Sequence, residues 1–151
     1  VAIWEPVVNG RDHIDQELRK KLVKEMMTFG KGRQTRESLL KTLEQGGEID
    51  FDGYPITAKL YKDLCGIDLT RAATAKARSL IVHITSRDAP SSPMVQLQNA
   101  LQQSGSTSDL RLVNEPPFWN LIGIADCRSL IHETVNWIRS GRNHGNASLL
   151  S

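Results

Sequence analysis

The sequence predicts an α/β protein with a small parallel sheet, and three observations favour this class. Residues 80–84 form an apolar, largely β-branched run of strand length between turn residues, which is typical of a strand buried on both faces. Beyond this run, helix and strand patterns alternate at the spacing of βαβ units. Between the first predicted strand, residues 1–8, and residue 80, most periodic segments are helical. We therefore expect about three parallel strands with right-handed crossovers, and a helical insertion after the first strand.

The first strand pattern covers residues 1–8, which open with apolar, β-branched and aromatic side chains. Pro6 removes a backbone donor, so pairing should end or bend there. After a turn, residues 11–29 carry apolar side chains three or four positions apart, which predicts a helix capped by Asp12. The apolar stripe of that helix contains Ile14, Leu18, Leu22 or Val23, Met26 and Phe29.

The remainder of the insertion predicts two short helices with a strand-like segment between them. Residues 35–45 form a leucine-rich helix that begins without a complete capping box. Residues 48–56 alternate polar and apolar side chains and turn at an Asp-Gly pair, which is typical of a short, half-exposed strand or of one arm of a hairpin. Thr57 can cap a third helix over residues 58–64.

The C-terminal part of the chain predicts a helix, a strand and a final helix. Residues 92–103 form the first of these helices and residues 109–113 the strand, and Asp126 is expected to cap a final helix that ends near residue 139. The rest is polar and rich in Gly, Asn and Ser, which predicts a flexible tail. The expected organisation is an α/β core of residues 1–10 and 71–139, a helical insertion over residues 11–70 and a tail over residues 140–151.

Composition excludes several classes of function. A formal net charge of +2 over 151 residues argues against a dedicated nucleic-acid surface. No apolar run approaches the length of a membrane span, and no signal-peptide pattern opens the chain. Cys65 and Cys127 are far apart and outside any metal-ligand spacing, which fits a reducing compartment. We therefore expect a cytoplasmic protein without a metal, cofactor, membrane or nucleic-acid partner.

The best candidate site follows the apolar strand of residues 80–84, where Arg87 and Asp88 lie in a polar loop. In open α/β sheets, ligands and chemistry gather outside the carboxyl ends of parallel strands. Asp88 is therefore the main candidate for a functional carboxylate. The alternative is a structural loop residue that accepts backbone amide hydrogen bonds near Pro90.

The four histidines are each expected to have a structural or solvated role: His13, His83, His132 and His144. His83 lies inside an apolar strand, so a hydrogen-bonded core histidine is favoured over a catalytic base. His13 and His132 fall on helices and His144 falls in the tail. Trp4 and Trp119 are more typical of a core or a cleft wall than of a surface that stacks on a ligand.

Three local motifs, taken in their order along the chain, carry a family resemblance. They are residues 3–7 (Ile-Trp-Glu-Pro-Val) with Gly10, residues 52–56 (Asp-Gly-Tyr-Pro-Ile) and residues 115–119 (Glu-Pro-Pro-Phe-Trp). Together they resemble the α/β-hydrolases associated with exosortase and exopolysaccharide systems, over nearly the whole chain. The resemblance implies the C-terminal half of an α/β-hydrolase fold, with the helical insertion as a cap. It also gives Asp88 the position of the acid in a Ser–His–acid triad.

The sequence departs from that family at the other two triad positions. It contains no G-x-S-x-G elbow for a serine nucleophile, and the loop after the last predicted strand, residues 114–118, contains no histidine. Glu115 in that loop is a minor candidate for the missing base. The chain begins inside a strand and without Met, so we expect it to be a fragment and the nucleophile to come from an upstream segment or another chain.

Two functions remain open. The first is part of a serine-hydrolase-like enzyme that acts on an ester, thioester or related acyl bond of a small molecule and is inactive as this chain alone. The second is a non-catalytic binding or assembly module, with contacts made by residues 11–64. In either case the first strand should lie at an open, apolar sheet edge, which predicts pairing with the N-terminal half of the fold or with a second copy of the chain.

Overall fold

The computed structural model describes residues 1–30, 34–51, 53–72, 77–115 and 126–147. The chain divides into two compact units, Val1–Pro6 with Thr70–Ser151 and Val7–Leu69. The assignment of these units as a hydrolase core and a cap stays a prediction. The elements in chain order are β1 (Ala2–Trp4), α1 (Gly10–Phe29), α2 (Arg36–Glu44), β2 (Glu48–Phe51), β3 (Tyr54–Thr57), α3 (Ala58–Cys65), β4 (Ser79–Ile84), α4 (Ser92–Gln103), β5 (Ser108–Val113) and α5 (Arg128–Ala147).

The first unit contains a three-stranded sheet in the order β1-β4-β5, and both strand pairs are parallel. All six residues of the middle strand, β4, are buried. This strand matches the apolar run that the sequence singled out, because a strand covered on both faces needs apolar side chains at successive positions. The predicted α/β class with a parallel sheet is confirmed at this level.

Alternate residues of β4 point to opposite faces of the sheet. Leu80, Val82 and Ile84 belong to an apolar cluster with Leu130 and Trp137 of α5. Ile81 and His83 therefore face the other side. The register places Ile3 of β1 opposite Ile81 of β4. The alternation and the register together determine which side chains of the two strands are neighbours at the carboxyl edge.

Arg78, just before β4, ties α5 to the sheet. Its guanidinium carbon lies 4.2 Å from the centre of the Trp137 ring, and it donates hydrogen bonds to the Trp137 carbonyl and to Ser140 Oγ, both at 3.0 Å. The Trp137 indole in turn donates to Asp109 Oδ2 at 2.5 Å. The predicted helix end near residue 139 is wrong, because α5 continues to Ala147.

The second unit corrects two of the expected helix starts. Helix α1 is capped by Asn9, whose side chain accepts the Asp12 amide at 3.1 Å, so Asp12 is not the cap. Helix α2 has a complete capping box, because Ser38 takes the role that Glu or Gln usually fills and accepts the Thr35 amide at 2.9 Å. Thr57 caps α3 as predicted.

The apolar stripe of α1 is buried only over its first half. Ile14 and Leu18 are buried, whereas Met26 and Phe29 are 57% and 55% exposed. The apolar cluster of this unit reaches Leu22 and extends no further along α1 within the described residues. Its buried members are Leu18, Leu39, Leu43 and Ile49.

Both cysteines are free and partly buried, Cys65 at the end of α3 and Cys127 before α5. Across the described parts of the chain, no three His, Cys, Asp or Glu side chains are grouped as metal ligands would be. In the same residues, no helix combines the length and apolarity that crossing a membrane requires.

Candidate functional site

A carboxylate follows each of the three parallel strands of the first unit. Glu5 comes directly after β1, Asp88 lies in the loop after β4, and Glu115 comes shortly after β5. Because the carboxyl ends of parallel strands meet at one edge of a sheet, these residues define the candidate site. Their environments differ, and the differences decide what each can do.

Glu5 has a left-handed backbone, with φ of 40°, the sole positive φ of a non-glycine residue in the described ranges. This conformation costs a residue with a Cβ roughly 1–2 kcal/mol. The Glu5 amide still donates to the Val82 carbonyl at 2.8 Å, so the ladder between β1 and β4 holds up to this residue. The chain then turns away at Pro6, which has no amide hydrogen to continue it.

The Glu5 side chain extends the ladder where the backbone leaves it. Its Oε2 accepts the Ile84 amide at 2.7 Å. In a regular parallel pair that amide would bond to a main-chain carbonyl of the neighbouring strand. The left-handed turn directs the Glu5 carbonyl elsewhere, and the carboxylate takes its place as the acceptor.

The same carboxylate holds His83. Nδ1 of His83 lies 2.9 Å from Glu5 Oε2 and 3.1 Å from Oε1, and the two side chains are 11% and 22% exposed. A carboxylate at Nδ1 favours the tautomer that carries its proton there, which leaves a lone pair on Nε2. Among the described residues, Nε2 has no hydrogen-bond partner.

His83 is thus a hydrogen-bonded sheet histidine, as the sequence favoured, but its partner was not foreseen. In the sequence, Glu5 stood out only as one residue of the motif at residues 3–7. The strand register is the feature that could have revealed this contact. Trp4 pairs with Val82, so the residues that follow them, Glu5 and His83, lie side by side. That register becomes visible once the two strands are known to be parallel neighbours.

Asp88 lies in the loop where the sequence expected it, and it is exposed to solvent. It forms no hydrogen bond or ion pair with any residue in the described part of the chain. Its neighbour Arg87 donates its amide to Thr85 Oγ1 at 3.1 Å, which shapes the loop. Neither of the two contacts considered for Asp88, a histidine or a backbone amide, is therefore observed.

Glu115 caps a helix. Its Oε1 accepts the amides of Ser129 and Leu130 at 2.8 and 3.3 Å, in the first turn of α5. A negative charge at this position also complements the helix dipole. The contacts assign Glu115 to the start of α5 and give no support to a role as a base. Residues 116–119 of the same motif lie outside the described residues, and so does Asp52.

The other candidates are not gathered at this edge. Trp4 lies on β1, with its indole donating to Thr134 Oγ1 of α5 at 3.0 Å. His13, on α1, and His132, on α5, are both exposed. The side chain of His144 lies outside the described residues, as does Trp119.

One carboxylate near the start of α5 has a strongly shifted pKa. The Arg128 guanidinium bonds to Asp126 and lowers the pKa of that carboxyl to about 2, with the Arg128 amide contributing a further hydrogen bond. Both groups are fully exposed, so the pair is a surface feature.

The second unit contains a shallow pocket of about 290 Å³ between α1, α2 and β2. Its lining includes the apolar side chains of Leu39 and Ile49 and the ion pair between Lys21 and Glu25, whose charged atoms lie 3.2 Å apart. The lining mixes both charges with apolar side chains, so it defines no ligand class.

Comparison with known proteins adds no further guide: no family model, no curated protein and no solved structure matches this chain.

Proposed function

We propose that this chain is part of a serine-hydrolase-like α/β protein that acts on an ester, thioester or related acyl bond of a small molecule in the cytoplasm. The observation that carries the proposal is the route of the chain. Along the chain, the unit Val7–Leu69 comes after β1 and before β4, although these two strands are parallel neighbours in the sheet. Asp88 follows β4, the middle strand. This is the order that the resemblance implies for a capped hydrolase and its acid-bearing loop.

The chemistry requires three groups at the carboxyl edge of the sheet. A serine hydroxyl attacks the acyl carbon, a base removes its proton, and a carboxylate orients that base. The serine would come from a segment upstream of Val1 or from another chain, because no G-x-S-x-G occurs in this sequence. Asp88 would orient a histidine or shape the acyl pocket.

The proposal is tested on the product of the complete reading frame. We expect the codons upstream of Val1 to encode a G-x-S-x-G about 25–30 residues before the first strand, on a strand-to-helix turn. A fluorophosphonate probe should label that serine covalently, and a Ser-to-Ala variant is the matched control. Absence of the elbow, or labelling no stronger than in the Ser-to-Ala control, would refute the proposal.

A second candidate, an assembly module on the same scaffold, is favoured by the exposed first strand. In the described residues β1 pairs on one side alone, with β4, and Val1 and Trp4 are 71% and 42% exposed. An open strand edge pairs readily with another strand. The occupant would be the N-terminal half of the fold or a second copy of the chain.

Light scattering of the isolated chain tests self-pairing. A concentration-dependent dimer that is lost when Ala2 is replaced by proline would support pairing through β1. The main-chain groups of Val1 and Glu5 bond to β4, so the Ala2 amide faces the open edge, and proline removes that donor. A monodisperse monomer at high concentration would exclude a second copy as the partner.

A further inference from the structure

We infer that His83 is the general base of the proposed acyl chemistry and that Glu5, in preference to Asp88, is the carboxylate that orients it. The inference rests on the proposed function and identifies the base that the sequence left unassigned. It is carried by the contacts of Glu5, its backbone strain and the position of the pair in the sheet.

The contacts match what a base requires. The carboxylate oxygens lie 2.9 and 3.1 Å from Nδ1, so the proton of the neutral imidazole is held on that side. Nε2, which no described residue occupies, keeps the lone pair that can accept a proton from a serine hydroxyl. Glu5 also stabilises the imidazolium once the proton has arrived.

The strain at Glu5 is more than the sheet requires. The Ile84 amide needs a single acceptor, and a main-chain carbonyl in an ordinary extended conformation would provide one. Instead, the backbone at Glu5 takes a left-handed conformation, and a charged group is brought into a half-buried position beside His83. Residues held in such strained conformations cluster at functional sites.

The position also favours this pair over Asp88. His83 and Ile84 are the last residues of the middle strand, at the edge where α/β proteins bind their ligands. Asp88 lies further along the loop, is exposed and holds no described partner. Orientation of an imidazole needs a fixed carboxylate, so the orienting role falls to Glu5 and the shaping of the pocket to Asp88.

The proton follows a closed path. As the serine oxygen forms its bond to the acyl carbon, its proton moves to Nε2 of His83. The same proton is then given to the departing alkoxide or thiolate when the bond to that group breaks. A water molecule hydrolyses the acyl-enzyme by the same exchange, and His83 returns to its neutral form.

Modification of this chain with diethylpyrocarbonate tests whether Nε2 is open. The reagent acylates unprotonated, accessible imidazole nitrogens, and peptide mass mapping gives the rate at each histidine, with the exposed His13 as the reference. We expect His83 to react in the native protein within about tenfold of His13, because Glu5 keeps its lone pair on Nε2. Modification of His83 only after unfolding in urea would overturn the inference.

Serine labelling of the complete protein tests the chemical role. We expect the labelling rate to rise with pH as the imidazole loses its proton, and His83→Gln to remove this dependence and slow labelling about 100-fold or more. Glu5→Gln should slow labelling more than Asp88→Asn does, and Asp126→Asn, at an exposed surface pair, should leave it unchanged.

The outcomes separate the two proposals. If the wild type is labelled and His83→Gln retains its full rate and pH dependence, the inference is wrong while the proposed function stands. If the wild type shows no labelling, the proposed function is wrong. Thermal melting of each variant identifies losses of folding, and for a variant that does not fold, the diethylpyrocarbonate result on the unmutated chain decides.

Discussion

The end of β1 and the loop after β4 each present a carboxylate at the same edge of the sheet, under different physical conditions. Glu5 accepts one backbone amide and one imidazole N–H from a strained backbone. Asp88 is exposed and has no described partner. The family resemblance singled out Asp88, whereas the contacts single out Glu5. A resemblance to a family indicates where a functional residue should lie, whereas the contacts around a residue show which groups it can hold and orient.

The two carboxylates also differ in the hydration free energy that each loses on folding. An exposed carboxylate keeps its hydration, so its presence asks for no explanation. A half-buried carboxylate loses much of its hydration, and its partners must compensate. Two hydrogen-bond donors compensate the lost hydration of the Glu5 carboxylate, so its removal should destabilise the junction between β1 and β4.

The largest effect is expected for Glu5→Ala. The change leaves the Ile84 amide and the His83 imidazole without their acceptor, so the free energy of unfolding should fall by about 2–3 kcal/mol in urea denaturation. Glu17→Ala is the control, because Glu17 pairs with Lys20 on the surface of α1 and should lose less than about 1 kcal/mol. A loss from Glu5→Ala no larger than that of the control would show that the carboxylate does not hold the junction.

Glu115→Ala should have the next largest effect. It removes the acceptor for two amides in the first turn of α5, as the loss of an N-cap does, and should cost about 1–2 kcal/mol in urea denaturation. Glu115→Gln keeps an acceptor oxygen without the charge and should cost less. Equal losses for the two variants would mean that the charge is the whole contribution.

Asp88→Ala should change the free energy of unfolding by less than about 0.5 kcal/mol, as expected for an exposed side chain without a partner. The measurement is the same urea titration as for Glu5→Ala. A loss comparable to that of Glu5→Ala would remove the contrast between the two carboxylates.

The smallest effect concerns an exposed carboxylate that does have a partner. Arg128 holds the pKa of Asp126 at about 2, and Arg128→Gln should raise it toward the ordinary value of 3.8, as followed by NMR titration of the carboxyl carbon. The lowered pKa stabilises the fold fully above the unfolded value, and this contribution is lost as the pH falls through about 2. Because the pair is fully exposed, the change in stability should be slight. Titration of wild-type Asp126 near 3.8 would contradict the hydrogen bonds between Asp126 and Arg128.

Much of the fold followed from local patterns. Helix α4 has the predicted bounds, 92–103, and β4 begins one position before the predicted run, because a proline near the helix start and β-branched residues in the strand act locally. Helix α5 was underestimated because its last turns contain residues of low helix propensity. Packing explains the glycine at position 141, because Arg78 Nη1 lies 1.9 Å from where a Cβ would be and leaves no room for a side chain.

The site was less accessible to prediction. The sequence located the edge of the sheet and Asp88, since both follow from the strand of residues 80–84 and the loop behind it. The contact between Glu5 and His83 joins residues 78 positions apart, and it depends on a strand register and a left-handed backbone that no local pattern signals. The same holds for Glu115, which caps a helix 14 and 15 positions further along the chain.

The tautomer of His83 tests the roles of Glu5 and His83 most directly, and it can be read from the ¹⁵N chemical shifts of the ring at a pH where the imidazole is neutral. We expect a protonated Nδ1 and an unprotonated Nε2, and Glu5→Ala should convert this state into a mixture of both tautomers. A wild-type His83 that carries its proton on Nε2 could not accept one there, and that result would contradict the role assigned to Glu5 and His83.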